Sequence, residues 1–218
     1  VVKTAIIAGA GGLTGSCLLR LLLEKPGYDE VLVLVRKELP LKHHKLQQCV
    51  IDFDKLGDYG EIIKGDALFC LLGSTKKKTP NLTDYRKVDH DYPVKLAEIA
   101  LKNKISQYHL MSSIGANSSS SNFYTKTKGE TERDITGIGL RSTYIYRPSF
   151  LIGNRTEGRP LEKLFVGLMK VVNPLLFGSV KKYRSIKIEA VASTMYKQSL
   201  INQPGVHIYE SDKIQELS

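Results

Sequence analysis

The chain of 218 residues has no tryptophan, only three cysteines and three methionines, and fewer acidic side chains (22) than lysines and arginines (32). No apolar run approaches the roughly 20 residues needed to cross a bilayer, so a membrane-spanning helix is not expected. The two longest candidates, "PVKLAEIALKNKI" and "LEKLFVGLMKVVNPLLF", are broken by charge or proline. Cys17, Cys49 and Cys70 are odd in number and lack CxxC or metal-ligand spacing, which argues against a disulfide framework and a zinc site. Buried thiols in a reducing compartment are the expectation. His43 and His44 stand together in a polar loop without matching ligands, so no metal is expected. The opening "TAIIAGAGGLTG" has the character of a strand and turn rather than a secretory leader, although the chain starts at Val1 and residues could precede it. A cytoplasmic location follows from these readings.

The net charge of +10 is compatible with nucleic acid, an anionic membrane or a phosphorylated small molecule. The lysines are scattered apart from "KKK" at 76–78 and "VKKYR" at 180–184, and no nucleic-acid motif accompanies them. Neither nucleic acid nor membrane is therefore expected as a partner.

The chain does contain a regular alternation. "KTAIIAG", "EVLVLVR", "QQCVIDF", "DALFCLLG", "QYHLMSS" and "LRSTYIYRPS" have strand character, the second as a continuous apolar run suited to burial on both faces. Between them, "LTGSCLLRLLLEK", "DYPVKLAEIALKNK" and "FYTKTKGETERDIT" have helical spacing. This pattern predicts an α/β chain: a Rossmann-type doubly wound parallel sheet formed by residues 1–218 as one domain. After Pro148 the pattern changes. "PLEKLFVGLMKVV" and "IKIEAVASTMYKQSLI" read as helices and "GVHIYE" as a short strand, so residues 150–205 are expected to add a small C-terminal cap on the sheet edge. "NSSSSN", 117–122, reads as a mobile polar loop.

Gly9, Gly11, Gly12 and Gly15 fall between the first strand and the first helix. Glycines there permit a tight turn, close backbone approach to a pyrophosphate and close helix–strand packing. Leu13 and Thr14 start the helix, whose free N–H groups and dipole favour an anion. Arg36 and Lys37 end the second strand, where NAD-binding folds carry an acidic residue for the ribose 2′-hydroxyl. A guanidinium there can grip a 2′-phosphate, so NADP(H) is expected in preference to NAD(H). Asp52 and Phe53 follow the third strand, at the adenine. Leu72, Gly73 and Ser74 follow the fourth, and Arg147 and Pro148 close the sixth, all on the cofactor side.

Tyr124 precedes Lys128 by one helical turn, but Tyr183/Lys187 and Tyr209/Lys213 share that spacing. Position separates them. The first pair starts the helix after the fifth strand, which ends in Ser112-Ser113, and ligands of open α/β sheets bind at the carboxyl ends of strands. A tyrosine is ordinarily too weak an acid for proton transfer at neutral pH, and a nearby ammonium favours its phenolate. Tyr124 could then exchange a proton with a substrate oxygen that a serine steadies.

The glycine turn, Ser112-Ser113, Tyr124/Lys128 and "YRPSFLIGNR" together resemble the short-chain dehydrogenase/reductase superfamily, of the extended and atypical kind. More narrowly, "GAGGLTG", "IDFDKLGDY", "LGSTKKK", "KVDHDYPVKLAEIA", "SSIGANSSSSNFYTKTKGETE" and "RPSFLIGNRTEGRP" look like the Tat-interacting-protein type and its bacterial relatives. The resemblance implies a Rossmann domain, NADP(H) binding and a Ser/Tyr/Lys site, in which Ser113 fits the catalytic serine better than Ser112. Two departures stand out. The superfamily often has an asparagine in the helix before the fifth strand, supporting a water and the lysine; here the segment reads "KVDHDY", with Asp89 nearest. The C-terminal part is also shorter than in extended members, which argues against a nucleotide-sugar substrate. Some relatives act as regulators that bind cofactor and a protein partner. The expectation is thus an NADP(H)-dependent oxidoreductase of a small carbonyl compound. The alternatives are an NADP(H)-binding redox sensor with a protein partner, and a nucleotide-sugar epimerase or dehydratase. Residues 150–186, including Phe150, Arg155 and Phe165, are expected to line the substrate pocket, and an exposed helix pair could join two copies as a homodimer.

Overall fold

A computed structural model describes residues 2–75, 77, 79–153, 173 and 176–218. Seven parallel strands form the main sheet: β1 (Thr4–Ala8), β2 (Glu30–Val35), β3 (Leu46–Val50), β4 (Ala67–Cys70), β5 (Gln107–Met111), β6 (Ser142–Arg147) and β9 (Gly205–Glu210). Their order is β3-β2-β1-β4-β5-β6-β9. The chain winds outward from β1 to β3, then crosses to β4 and winds the other way, which opens a crevice above the carboxyl ends of β1 and β4. This is the doubly wound Rossmann-type arrangement that the alternation predicts. A separate parallel pair, β7 (Leu151–Ile152) with β8 (Ile186–Lys187), lies outside it.

Successive strand side chains point to opposite faces, and the core divides accordingly. Ala5 and Ile7 of β1 join one apolar cluster with Leu18, Leu22, Val191 and Met195. Ile6 and Ala8 join the other with Leu96, Ala97, Tyr108 and Ile135. Helix α1 (Leu13–Glu24) therefore covers one face, and α3 (Tyr92–Lys102) and α4 (Phe123–Gly137) cover the other. A short α2 (Leu82–Arg86) leads into α3 through a π-helical turn, Lys87–Asp91.

The C-terminal part departs from expectation. Residues 188–199 are helical, as α5 (Ile188–Ser199), but they do not sit in a cap. Val191, Ala192 and Met195 pack into the cluster that α1 covers, because that sheet face offers a continuous apolar partner. Hydrogen bonds from Tyr28 to the Ser199 carbonyl (3.3 Å) and from Tyr196 to the Pro26 carbonyl (2.6 Å) tie it down. "GVHIYE" is likewise not a cap strand but β9, the seventh strand of the sheet, in register with β6 from Ser142–Gly205 to Arg147–Glu210. A last helix, α6 (Ser211–Leu217), follows it. The predicted helix "PLEKLFVGLMKVV", Arg155 and Phe165 lie outside the described residues; Phe150 is exposed. Of the three thiols, Cys70 is buried, while Cys17 and Cys49 are half-buried.

Candidate active site

The turn after β1 is shaped by what its glycines lack. Gly9 has φ +98°, and a Cβ there would stand 2.6 Å from the Leu71 carbonyl oxygen, at the end of β4. A Cβ on Gly15 would stand 2.9 Å from the Gly9 carbonyl carbon. A side chain at Gly9 would force the turn away from the end of β4, and one at Gly15 would force α1 away from the turn. The Gly12 N–H donates to the Gly9 carbonyl at 3.0 Å, and the first bond into the helix runs from Ser16 N–H to the Gly12 carbonyl, 2.8 Å. The amides of Leu13, Thr14 and Gly15 thus precede the ladder. No side chain caps this end and its first turn holds no acidic residue. The combination suits an anion.

A cavity of about 460 Å³ opens from the turn. Gly11, Gly12, Arg36, Lys37, Phe53 and Gly73 are among its walls, with Leu72 and Ser74. Arg36 and Lys37 are exposed at the end of β2. Asp52 is turned to local work: it caps the helical turn Phe53–Tyr59, accepting the Asp54 N–H at 3.0 Å. Phe53 is buried, with its ring 5.6 Å from that of Tyr92. Leu39, Thr79, Val88 and Tyr92 also line the cavity, and none of them is prominent in the sequence. Tyr92 sits at the head of an amphipathic helix and reads as a packing residue. Its phenol is pushed up to about 12 by burial and by its hydrogen bond to the Asp54 carboxylate.

On the other side of the crevice, Asn122 caps α4 by accepting the N–H groups of Tyr124 (2.9 Å) and Thr125 (3.2 Å). The serine-rich segment, expected to be a mobile loop, is a hydrogen-bonded turn. Asn117 N–H donates to the Thr125 carbonyl at 3.0 Å and Thr125 Oγ1 to Ser120 Oγ at 2.7 Å. It lies flush on α4 at Gly129, where a Cβ would come 2.5 Å from the Asn117 amide nitrogen. Tyr124 is 37% exposed on the first turn of this helix. Lys128, one turn on, is buried, with its Nζ 2.9 Å from Asp89 Oδ1. Burial opposes the Lys128 charge, but the Asp89 carboxylate and then the Tyr124 phenol outweigh it, leaving the ammonium above its ordinary pKa.

Asp89 reaches Lys128 because of the π-turn. Pro93 has no N–H to give the carbonyl four residues back, which is that of Asp89, and its ring crowds that carbonyl. The helix widens there: Tyr92 N–H donates to the Lys87 carbonyl, five residues back. The freed Asp89 carbonyl accepts from Thr131 Oγ1 of α4 at 2.9 Å.

The two serines after β5 diverge. Ser112 is buried and its hydroxyl donates to Glu132, which Arg147 also clamps through Nε at 3.0 Å. Ser113 is half-buried, its hydroxyl donating weakly to the adjacent Ile114 carbonyl at 3.3 Å. Pro148 accepts the Ile114 N–H at 3.0 Å. The other two Tyr-x-x-x-Lys pairs lie elsewhere: Tyr183 is exposed, and Tyr209, on β9, donates to Gln198 at 2.9 Å.

The sheet order and the glycine turn define the class: a Rossmann fold of the NAD(P)-binding kind. Residues 9–164 match the NAD(P)H-binding family, and the chain belongs to that family. It is 35% identical over 166 residues to Protein HTATIP2 of Rattus norvegicus, covering 74% of this chain and 68% of that protein. It is 35% identical over 207 residues to the mitochondrial Protein FMP52 of Kluyveromyces lactis, covering 94% and 83%. The Bordetella bronchiseptica enzyme WbmH in complex with NAD+ shares the fold, with TM-score 0.73, 16% identity, and coverage of 99% of this chain and 79% of that one. MoeE5 in complex with UDP-glucose and NAD does so with TM-score 0.71, 15% identity and coverage of 97% and 79%.

Proposed function

We propose that the chain is an NADP(H)-dependent oxidoreductase that reduces a small carbonyl compound, with Tyr124 as proton donor. The observation that carries this reading is the buried Lys128, ion-paired at 2.9 Å with Asp89 one turn below the exposed Tyr124, beside the loop that lines the cavity. The glycines whose Cβ atoms would fill the turn, together with the three leading amides of α1, fit a dinucleotide's pyrophosphate. Arg36 and Lys37 make no ion pair among the described residues and would hold the 2′-phosphate. Bound NADPH supplies a hydride. The Tyr124 hydroxyl gives its proton to the substrate oxygen, Ser113 donates a hydrogen bond to that oxygen, and the Lys128 ammonium stabilises the phenolate left behind. Ser112 and Arg147, both engaged with Glu132, hold the ends of β5 and β6 against α4.

The test is a library of aldehydes and ketones with NADPH, using wild type and Tyr124→Phe. Turnover should fall roughly 10²–10⁴-fold in the variant while NADPH binding persists. Equal turnover would remove Tyr124 from the mechanism.

The exposed serine-rich turn immediately before Tyr124 supports a second reading: a protein that binds NADP(H) and presents its redox state to a protein partner. A partner that binds one redox form, with no turnover across the library, would favour it. Epimerase or dehydratase chemistry on a nucleotide sugar ranks behind both, because it would need a tightly retained NAD and the end of β2 carries Arg36 instead of a carboxylate. The free thiols suit a reducing compartment. The cytoplasm is one; the mitochondrion, named for the Kluyveromyces relative, is another.

A further inference from the structure

We propose that Asp89 is a positioning residue that couples the loop after β4 to Lys128, so that dinucleotide engagement at Gly73–Ser74 and placement of the ammonium below Tyr124 are linked. The proposal rests on the NADP(H) reading above, because it is that reading which assigns the Gly73–Ser74 loop to the cofactor.

The two oxygens of one carboxylate make the link. Oδ1 meets Lys128 Nζ at 2.9 Å and Oδ2 accepts the Ser74 N–H at 2.8 Å. The pair lies directly beneath Gly73: a Cβ there would stand 3.6 Å from Asp89 Oδ1 and 3.9 Å from Lys128 Nζ. Asp89 is 1% exposed, and its main-chain carbonyl is also held by α4, through Thr131. Tyr85, on the preceding α2, reinforces the same loop by donating to the Ser74 carbonyl at 3.1 Å. One residue thus joins the cavity wall to the helix that bears Tyr124 and Lys128.

Stability alone is a poor reason for this arrangement. A buried ion pair is often no better than a well-packed apolar pair of the same volume, because both ions lose their hydration. What the pair supplies is position and charge. The ammonium fixes the carboxylate, and the carboxylate fixes an amide on the cavity wall. A neutral amide in place of Asp89 could accept from Ser74 but could not form an ion pair with the ammonium.

Amide hydrogen exchange on the full chain reads the coupling without any substrate. Lys128 makes no hydrogen bond to Ser74; Asp89 is the side chain that meets both. In K128M without cofactor, the Asp89 carboxylate loses the cation that anchors it, and the Ser74 amide should exchange about tenfold faster as its hydrogen bond is lost, while the β2 amides keep their wild-type rates. K128R, which retains the cation, should restore protection. Wild-type exchange at Ser74 in K128M, or equal acceleration of Ser74 and β2, would overturn the Asp89 link. A second arm adds NADPH to the wild type, which should slow Ser74 exchange further. Absence of that protection, with the cofactor-free effect intact, would overturn the dinucleotide half of the proposal together with the reading it rests on.

Discussion

At the scale of single residues, cofactor choice is a question of charge at the end of β2. Arg36 is exposed, so the proposed contact with a 2′-phosphate would be partly screened and its value is discounted accordingly. Even so, a charge-assisted contact to a phosphate that NADH lacks should matter. Arg36→Ala is expected to weaken NADPH about tenfold and leave NADH nearly unchanged. Paired titrations followed by nicotinamide fluorescence check it, and an unchanged ratio would remove the NADP preference. The serines show what one residue's offset means at this scale. Ser112 and Ser113 are neighbours in sequence, yet one is buried against Glu132 and the other is half-buried, held only by a weak bond to the Ile114 carbonyl. Strand alternation separates them.

At the scale of elements, α4 is positioned by an absent side chain. Gly129 lies in the middle of a 15-residue helix, where alanine would ordinarily gain about 1 kcal/mol. The opposing effect is larger. An added Cβ meets the backbone of Asn117 and Ser118, which no rotamer change can relieve, and such overpacking costs roughly 1–3 kcal/mol. Gly129→Ala is therefore expected to destabilise the protein and lift the serine-rich turn away from the helix start that carries Tyr124. Thermal melting should show a lower Tm, at about 2–4 °C per kcal/mol for a chain of this size. A Tm at or above wild type would mean that the turn does not rest on this glycine. The π-turn before α3 follows the same logic: a missing N–H at Pro93 reshapes the helix and aims Asp89 inward.

For the molecule as a whole, the interior behind the site contains a polar stack. His109 is fully buried between Phe69 and Tyr144 rings, at centroid distances of 4.5 Å each. Its nitrogens meet Tyr146 Oη at 3.1 Å and Gln107 Oε1 at 3.0 Å. Burial pushes its pKa down to about 3. The unfolded chain takes up that proton near pH 6.5, the folded chain not until about 3. Between those values the unfolded state binds more protons, so this group's contribution to stability is full above pH 6.5. It declines as pH falls, by up to about 1.4 kcal/mol per pH unit. Unfolding midpoints in urea between pH 7 and 5 should fall for wild type more steeply than for His109→Gln. Parallel curves would show that His109 does not control the acid limb.

The periodicities and glycine spacing were sufficient to specify the alternating parallel sheet and the tight glycine turn after β1, because both depend on short-range rules: side-chain direction along a strand, and backbone freedom where a Cβ cannot fit. The Tyr124/Lys128 pair could be singled out only by its place after the fifth strand. Tertiary structure decided the rest. It drew α5 and β9 into the main body, since an apolar helix face and an open strand edge take whichever partners the folded chain brings near. It separated Ser112 from Ser113, seated the serine-rich turn on Gly129, and brought Asp89, 39 residues away in sequence, to within 2.9 Å of Lys128. Contacts between side chains so far apart along the chain have no local spacing to announce them, and only the folded geometry determines which of them meet.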